Sequence, residues 1–266
     1  MPERFAIVVT VRNEERNLAP LLDSLVTQEG PLEVVVVDAH SADRTREIAQ
    51  GYAERFDFVR LHVQGGTRGA GRNYGVSKSD APCVAFIDGD CIASPFWLRS
   101  LRRAAAGSEV VAGKTVQIGY HPFENLERVE LYFGGYDITY PSCNLAYRRE
   151  RFLAIGGFDE WFKTAEDIDL NLRAVQAGAR IVFEPEAIVY NRTRGSYYDF
   201  LRQAFWNGAG RKQLTLKHGA LWSSYRPGAL FRTQATFPAM MRLGAALTGY
   251  VGYKVFGKER HPQKRL

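Results

Sequence analysis

Four short apolar runs, each breaking abruptly into a polar loop, constrain this chain more than any other feature. They cover residues 5–11, 32–37, 58–63 and 83–87, and stretches of helical pattern separate them. Runs of this length read as strands, three of them buried and the remaining one, 58–63, interrupted by Arg60 and His62, and strands alternating with helices build a parallel, doubly wound sheet. Ligands of such sheets bind outside the carboxyl ends of the strands. The four exits are therefore where chemistry is expected.

The first exit is Arg12-Asn13-Glu14, after which an amphipathic helix runs from Asn17 to about Gln28 with Leu18, Leu21, Leu22 and Leu25 as its buried stripe. The second holds Asp38, then Ser41-Ala42-Asp43-Arg44-Thr45. Asp43 reads as the N-cap of the next helix, whereas Asp38 precedes that helix and has no capping duty. The third is glycine-rich, Gly65-Gly66-Thr67-Arg68-Gly69-Ala70-Gly71-Arg72. Its glycines lack the G-x-G-x-x-G spacing and follow the wrong strand, so a dinucleotide site is rejected. A loop presenting Arg72 and backbone amides to a diphosphate at a helix start fits instead. The fourth exit is Asp88-Gly89-Asp90. Two carboxylates flanking a glycine suit a hard cation held against nucleotide phosphates, and the plain alternative is a turn.

Taken in order, Val9-Thr10-Val11-Arg12-Asn13-Glu14, Val37-Asp38 with Ser41-Ala42-Asp43-Arg44-Thr45, Gly71-Arg72-Asn73-Tyr74-Gly75 and Asp88-Gly89-Asp90 resemble the family-2 glycosyltransferases of the GT-A fold. The resemblance spans roughly residues 5–190. It implies an α/β, Rossmann-like, mostly parallel sheet with helices on both faces, and transfer of a sugar from a nucleotide diphosphate donor with inversion. It further implies a divalent cation, Mn2+ or Mg2+, on Asp90, with Asp88 bridging metal and ribose. Donor contacts are expected from Val11, Asn13, Glu14 and Asp38 around the base and from Arg72 at the diphosphate. Asn144 and Gly157, the latter in the loop Gly156-Gly157-Phe158-Asp159-Glu160, are expected beside the donor or acceptor sugar.

Thr164-Ala165-Glu166-Asp167 opens a later helix. In the family the aspartate of this Glu-Asp pair is the base that deprotonates the acceptor. Locally, Thr164 and Asp167 also read as a capping box. Three departures stand out. Asp38 is followed by Ala39 rather than a second acid, so UDP- and GDP-linked donors both stay open. Asn191-Arg192 stands where many relatives place a histidine metal ligand. Arg202-Gln203-Ala204-Phe205-Trp206 lacks the Gln-x-x-Arg-Trp signature of the processive polymer synthases.

The net charge of +6 hides a division. The last 76 residues carry 14 Lys or Arg against Asp199 and Glu259, a balance of +12 that leaves −6 for residues 1–190. Such a split favours an anionic partner: lipid headgroups, phosphates or nucleic acid. Arg202 and Arg211, on an aromatic-rich helix, could reach the diphosphate. Beyond Pro227, Met240, Leu243, Leu247, Tyr250 and Val251 lie on one helical face that runs into the basic stretch 258–265. That pattern reads as an interfacial helix on an anionic membrane, or as an arm docked on the catalytic domain or on a second copy in a homodimer. The expected organisation is a transferase domain over 1–212 and a helical, basic appendage over 213–266.

No apolar run reaches spanning length, and the three cysteines lack ligand-like spacing. A cytoplasmic protein, peripheral at the inner face of the cell membrane, is expected, acting on an acceptor glycan or a lipid-linked acceptor rather than on nucleic acid. Two other classes compete. A sugar nucleotidyltransferase would want a lysine-bearing glycine loop after the first strand, which Arg12-Asn13-Glu14 is not. A catalytically silent nucleotide-sugar-binding module would bind donor without transferring it.

Overall fold

The computed structural model describes residues 3–119, 128–193, 196–219 and 236–257. Its first part alternates β1 (Phe5–Val11), α1 (Leu18–Val26), β2 (Leu32–Asp38), α2 (Thr45–Arg55), β3 (Val59–Val63), α3 (Arg68–Ser77) and β4 (Cys83–Asp88). All four apolar runs are strands, paired in parallel as β3-β2-β1-β4. Because side chains alternate along a strand, β1 feeds two cores. Phe5, Ile7 and Val9 pack with α1 on one face, while Ala6 and Val8 pack on the other with Val76 of α3.

The second part holds β5 (Cys91–Ala93), α4 (Trp97–Ala105), β6 (Val110–Ile118), a small hairpin β7 (Tyr132–Phe133) and β8 (Tyr136–Asp137), and β9 (Leu145–Arg148). It continues through α5 (Arg149–Ala154), α6 (Glu166–Gln176), β10 (Ile181–Arg192), α7 (Tyr197–His218) and α8 (Phe237–Phe256). The main sheet orders its strands β3-β2-β1-β4-β9-β6-β10-β5, with β9 antiparallel to both neighbours. Strand β9 begins only at Leu145, because Ser142–Asn144 form a 3-10 turn after the extended Pro141. Strand β10 pairs antiparallel with β5, setting Asn191 opposite Cys91 and so next to Asp90.

Helix α7 runs without a break past residue 212, the expected domain boundary. It is fastened to α6 by ion pairs centred on Asp169, a fully buried carboxylate. Arg173 and Lys217 nitrogens lie 2.7 Å from it, as does His218 Nε2, and Lys217 also reaches Asp159 at 2.6 Å. On its other side α7 carries α8. A Cβ on Gly208 would sit 1.8 Å from the Ala246 carbonyl oxygen, and one on Gly249 would sit 1.9 Å from that of Phe205. The helices therefore touch backbone to backbone, and the order of these pairs makes them antiparallel. Arg226 and the basic stretch 258–265 lie outside the described residues. Among the described residues, no helix is long and apolar enough to cross a membrane.

Candidate active site

The end of β4, the start of α3 and the start of α6 meet around a cavity of about 670 Å3, lined by Asp88, Glu166, Asp167, Asn191, Ser142 and Tyr140, by Arg68, Lys114 and Arg128, and by Gln203, Asn207 and Arg211 of α7; Val11, Asn13, Glu14 and Asp38 of the first two exits lie outside this lining. Asp88 ends β4, and Gly89 lets the chain turn there, since a Cβ on it would press within 2.9 Å of Val11 and 3.0 Å of Glu14.

Behind the wall lies Arg72, only 1% exposed. Its Nη2 donates to Asp88 Oδ1 at 2.6 Å and its Nη1 to Glu166 Oε1 at 2.8 Å, while the Phe158 ring lies 5.2 Å from the guanidinium carbon. Burial alone would lower this guanidinium's pKa, but Asp88 and Glu166 outweigh burial and raise it, so the cation is permanent. Arg72, expected on the diphosphate, instead ties the end of β4 to the start of α6.

Asp167 is half-buried at the mouth of α6. Its Oδ1 accepts from the Ile168 amide at 2.8 Å and its Oδ2 from the Ser142 amide at 3.3 Å. Desolvation first, and the Glu166 charge second, push its pKa up to about 6 against the opposing pull of Arg72. The capping-box alternative does not form. Ala165, the residue before α6, lies in the left-handed region at φ 65° and gives no side-chain cap, and the Thr164 hydroxyl donates to the Trp206 carbonyl of α7 at 2.7 Å.

The remaining expected residues divide. Asn13, at φ 56°, knits the first two exits together: its amide donates to Ser41 Oγ at 2.9 Å and its side-chain oxygen accepts from Ala42 at 2.8 Å. The Glu14 amide donates to Thr45 Oγ1 at 2.7 Å, and the Val11 carbonyl accepts from Ala39 at 2.9 Å. Asp38 is fully buried, accepting from the Ser41 amide at 3.1 Å with Arg46 at 3.4 Å. Asn144, expected on the sugar, is instead buried and bonded in the sheet, giving to Lys114 O and Ala187 O and accepting from Trp97 Nε1. Gly157, also expected there, turns the chain at φ 64° against Asn73 and Phe152, and its carbonyl accepts from Arg173. Arg211 lines the cavity; Arg202 is exposed on α7 outside the wall.

For a cation, the structure offers Asp88 and Asp90 with Asn191 alongside, whose Nδ2 lies 3.4 Å from Asp90 Oδ1. Two carboxylates and an amide that can present its oxygen form an all-oxygen donor set, which fits a hard divalent ion. Among the described residues no group of three or more His, Cys, Asp and Glu side chains is placed to hold a metal ion, so the remaining ligands of such an ion would come from phosphate and water. The cations Arg68, Lys114 and Arg128 were not anticipated. The sequence signals for two of them are the place of Arg68 in the glycine-rich third exit and that of Lys114 at the end of the apolar run 110–113.

The family model of glycosyl transferase family 2 matches residues 6–159, and that of glycosyl transferase family group 2 matches residues 131–253. The chain belongs to glycosyl transferase family 2. A pre-mycofactocin glycosyltransferase of Mycobacterium tuberculosis is 32% identical over 234 residues, covering 79% of this chain and 48% of that protein. The glycosyltransferase AglE of Haloferax volcanii is 26% identical over 225 residues, covering 79% of this chain and 73% of AglE. The chain thus spans about half of the first relative and most of the second. In structure, a Pyrobaculum calidifontis mannosyltransferase in complex with GDP-Man and Mn2+ superposes with TM-score 0.65 at 18% identity, covering 97% of this chain and 77% of that one. Staphylococcus aureus TarS 1-349 in complex with UDP-GlcNAc gives 0.58 at 22%, covering 94% and 81%. The GT-A fold follows from these likenesses, and the family-2 member described here is a glycosyltransferase.

Proposed function

We propose that this glycosyltransferase moves one sugar, with inversion, from a UDP- or GDP-linked donor to a hydroxyl or phosphate of a glycan or lipid-linked acceptor. The observation that carries the reading is the Arg72 bridge. By holding Asp88 and Glu166 on one buried guanidinium, it sets a donor-side carboxylate and the neighbouring Asp167 on the walls of one cavity. Relatives of known structure carry GDP-Man with Mn2+ or UDP-GlcNAc, in support of a nucleotide-sugar donor.

In this reading the paired first and second exits, with Asp38 beneath them, receive the nucleotide base, while Arg68, Lys114, Arg128 and Arg211 supply positive potential for the diphosphate. Asp88 and Asp90, with Asn191, would hold a Mn2+ or Mg2+ ion, whose chemistry when bound is neutralisation of the departing diphosphate. Asp167 takes the proton of the acceptor hydroxyl as that oxygen bonds to the anomeric carbon. The bond from that carbon to the diphosphate oxygen breaks, and its electron pair leaves with the nucleoside diphosphate. A carboxylate whose pKa is about 6 is ionised at neutral pH yet basic enough to accept a proton in the transition state. The three buried, free cysteines suit a reducing compartment, in support of a cytoplasmic site of action.

A thermal-shift screen of nucleoside diphosphates and nucleotide sugars, with and without Mn2+, followed by donor-turnover assays, tests the reading. Stabilisation by UDP or GDP that depends on Mn2+ and on Asp90, and turnover that disappears in Asp167→Asn, are expected. Absence of stabilisation by any nucleotide would overturn it.

A further inference from the structure

Helix α8 has two apolar faces, and α7 covers only one of them. Ala239, Ala246 and Gly249 turn towards α7 or are buried there, with Gly249 backbone to backbone against Phe205. On the opposite face Phe237, Met240, Leu243, Leu247, Val251 and Val255 recur at three- and four-residue intervals and are between 40% and 71% exposed. At about 1.5 Å per residue the stripe from Met240 to Val255 is roughly 22 Å long, so it suits a helix lying flat along a surface.

The charge around the stripe says what surface that is. From residue 200 to residue 258 the chain contains no Asp or Glu; the cations of α8 itself are Arg242 and Lys254, and the sequence that follows adds Lys258, Arg260, Lys264 and Arg265 against Glu259. Lys254 is exposed beside the stripe, within its last turn. A second copy docking through the same face would set one acid-free, cationic segment against another, which like-charge repulsion opposes. An anionic bilayer meets both requirements at once: acyl chains for the stripe and negative headgroups for the cations that flank it.

We propose that the outer face of α8 docks this glycosyltransferase on an anionic lipid bilayer, lying in the interface without crossing it. The inference stands on α8 alone and is independent of the donor chemistry above. The cavity is joined to the docking face through α7, which lines the one with Gln203, Asn207 and Arg211 and seats the other at Gly208. An acceptor presented at the bilayer surface is the consequence.

The test is co-sedimentation of the full chain with phosphatidylcholine vesicles, with and without phosphatidylglycerol, at low and high salt. The same measurement is made on the Leu247→Glu, Val251→Glu double variant. Both positions are exposed, so an unchanged melting temperature confirms that the fold is intact. The expected result is binding to phosphatidylglycerol vesicles that weakens as salt shortens the Debye length from ~10 to ~3 Å, and that falls at least roughly tenfold in the variant. Protein that stays in the supernatant with every vesicle, or a variant that sediments like the parent, would overturn the proposal. So would a lipid-free dimer in analytical ultracentrifugation that the double variant dissociates, because the occupant would then be a second copy.

Discussion

Replacing Arg72 by methionine preserves most of the side chain's length and removes the cation between Asp88 and Glu166. Glu166 is 4% exposed and the Asp88 side chain 24%, so two carboxylates lose the charge that stabilises them inside the wall. Removing one partner of a buried pair costs on the order of 3–5 kcal/mol. Glu166 keeps Arg68 at 3.9 Å, but that guanidinium is half-exposed and its contribution screened, so the lower end of the range, about 3 kcal/mol, is expected. For a chain of this size each kcal/mol lowers the melting temperature by about 2–4 °C, giving a loss of roughly 6–12 °C. A second readout separates this role from mere packing. Because Arg72 pulls the Asp167 pKa down, its loss moves the acid limb of the pH–rate profile above 6, whereas Arg72→Lys keeps the charge and holds the limb near its parental position. Calorimetry with donor-turnover profiles on both variants reads the two effects. A methionine variant that melts with the parent and keeps its acid limb would refute the bridge as the device that organises this site.

Three further perturbations follow from the same geometry. Asp167→Asn should abolish transfer without loss of melting temperature: a carboxylate with a raised pKa makes the native state lose stability as pH climbs from its ordinary value near 4 to about 6, and asparagine removes that loss, so a lower melting temperature with transfer retained would make this carboxylate a structural group and not the base. In the parent, transfer should fall about tenfold per pH unit below ~6, as Asp167 takes up its proton, and a rate flat to pH 5 would exclude it as the base. Burial opposes the charge of Asp169, yet His218, Arg173 and Lys217 together hold its pKa down at about 2; the stability it contributes is present above its ordinary value and lost as pH falls towards 2, and Asp169→Asn should cost on the order of 3–5 kcal/mol in urea unfolding at neutral pH.

What could be read in the sequence and what could not divides along the range of the interactions. Buried parallel strands are near-continuous apolar runs, so β1, β2 and β4 and their exits were legible, as was the helix-starting Glu166-Asp167 pair, while the edge strand β3 carries Arg60 and His62 and was legible only from its place between two helices. The insertion of β9 between β4 and β6 was not, since strand pairing over that distance leaves no local trace. Asn144 and Arg72 mark the same limit. A polar side chain beside an apolar run looks the same whether it faces a ligand or saturates buried groups; Asn144 satisfies three of them, and Arg72 spends both of its terminal nitrogens on carboxylates. On α8 the periodicity gave the right stripe but misplaced Tyr250, whose hydroxyl points back to Thr215 of α7.

Helix α7 is confined on two sides by gaps that admit only hydrogen. A Cβ at Gly208 would strike the Ala246 carbonyl, and one at Gly210 would come within 2.6 Å of the Thr164 carbonyl. Gln203, Asn207 and Arg211 are spaced one turn apart on the strip that faces the cavity, and none of them bears on either contact. The helix thus separates what natural variation can alter from what it must retain. The lining of the cavity can be altered through three side chains while the seat of the helix stays as it is. A one-residue insertion before residue 203, by contrast, would rotate all three about 100° off the cavity and push side chains into both gaps. Relatives that bind different molecules in this cavity should accordingly differ by substitution along this strip and keep the length of the helix unchanged.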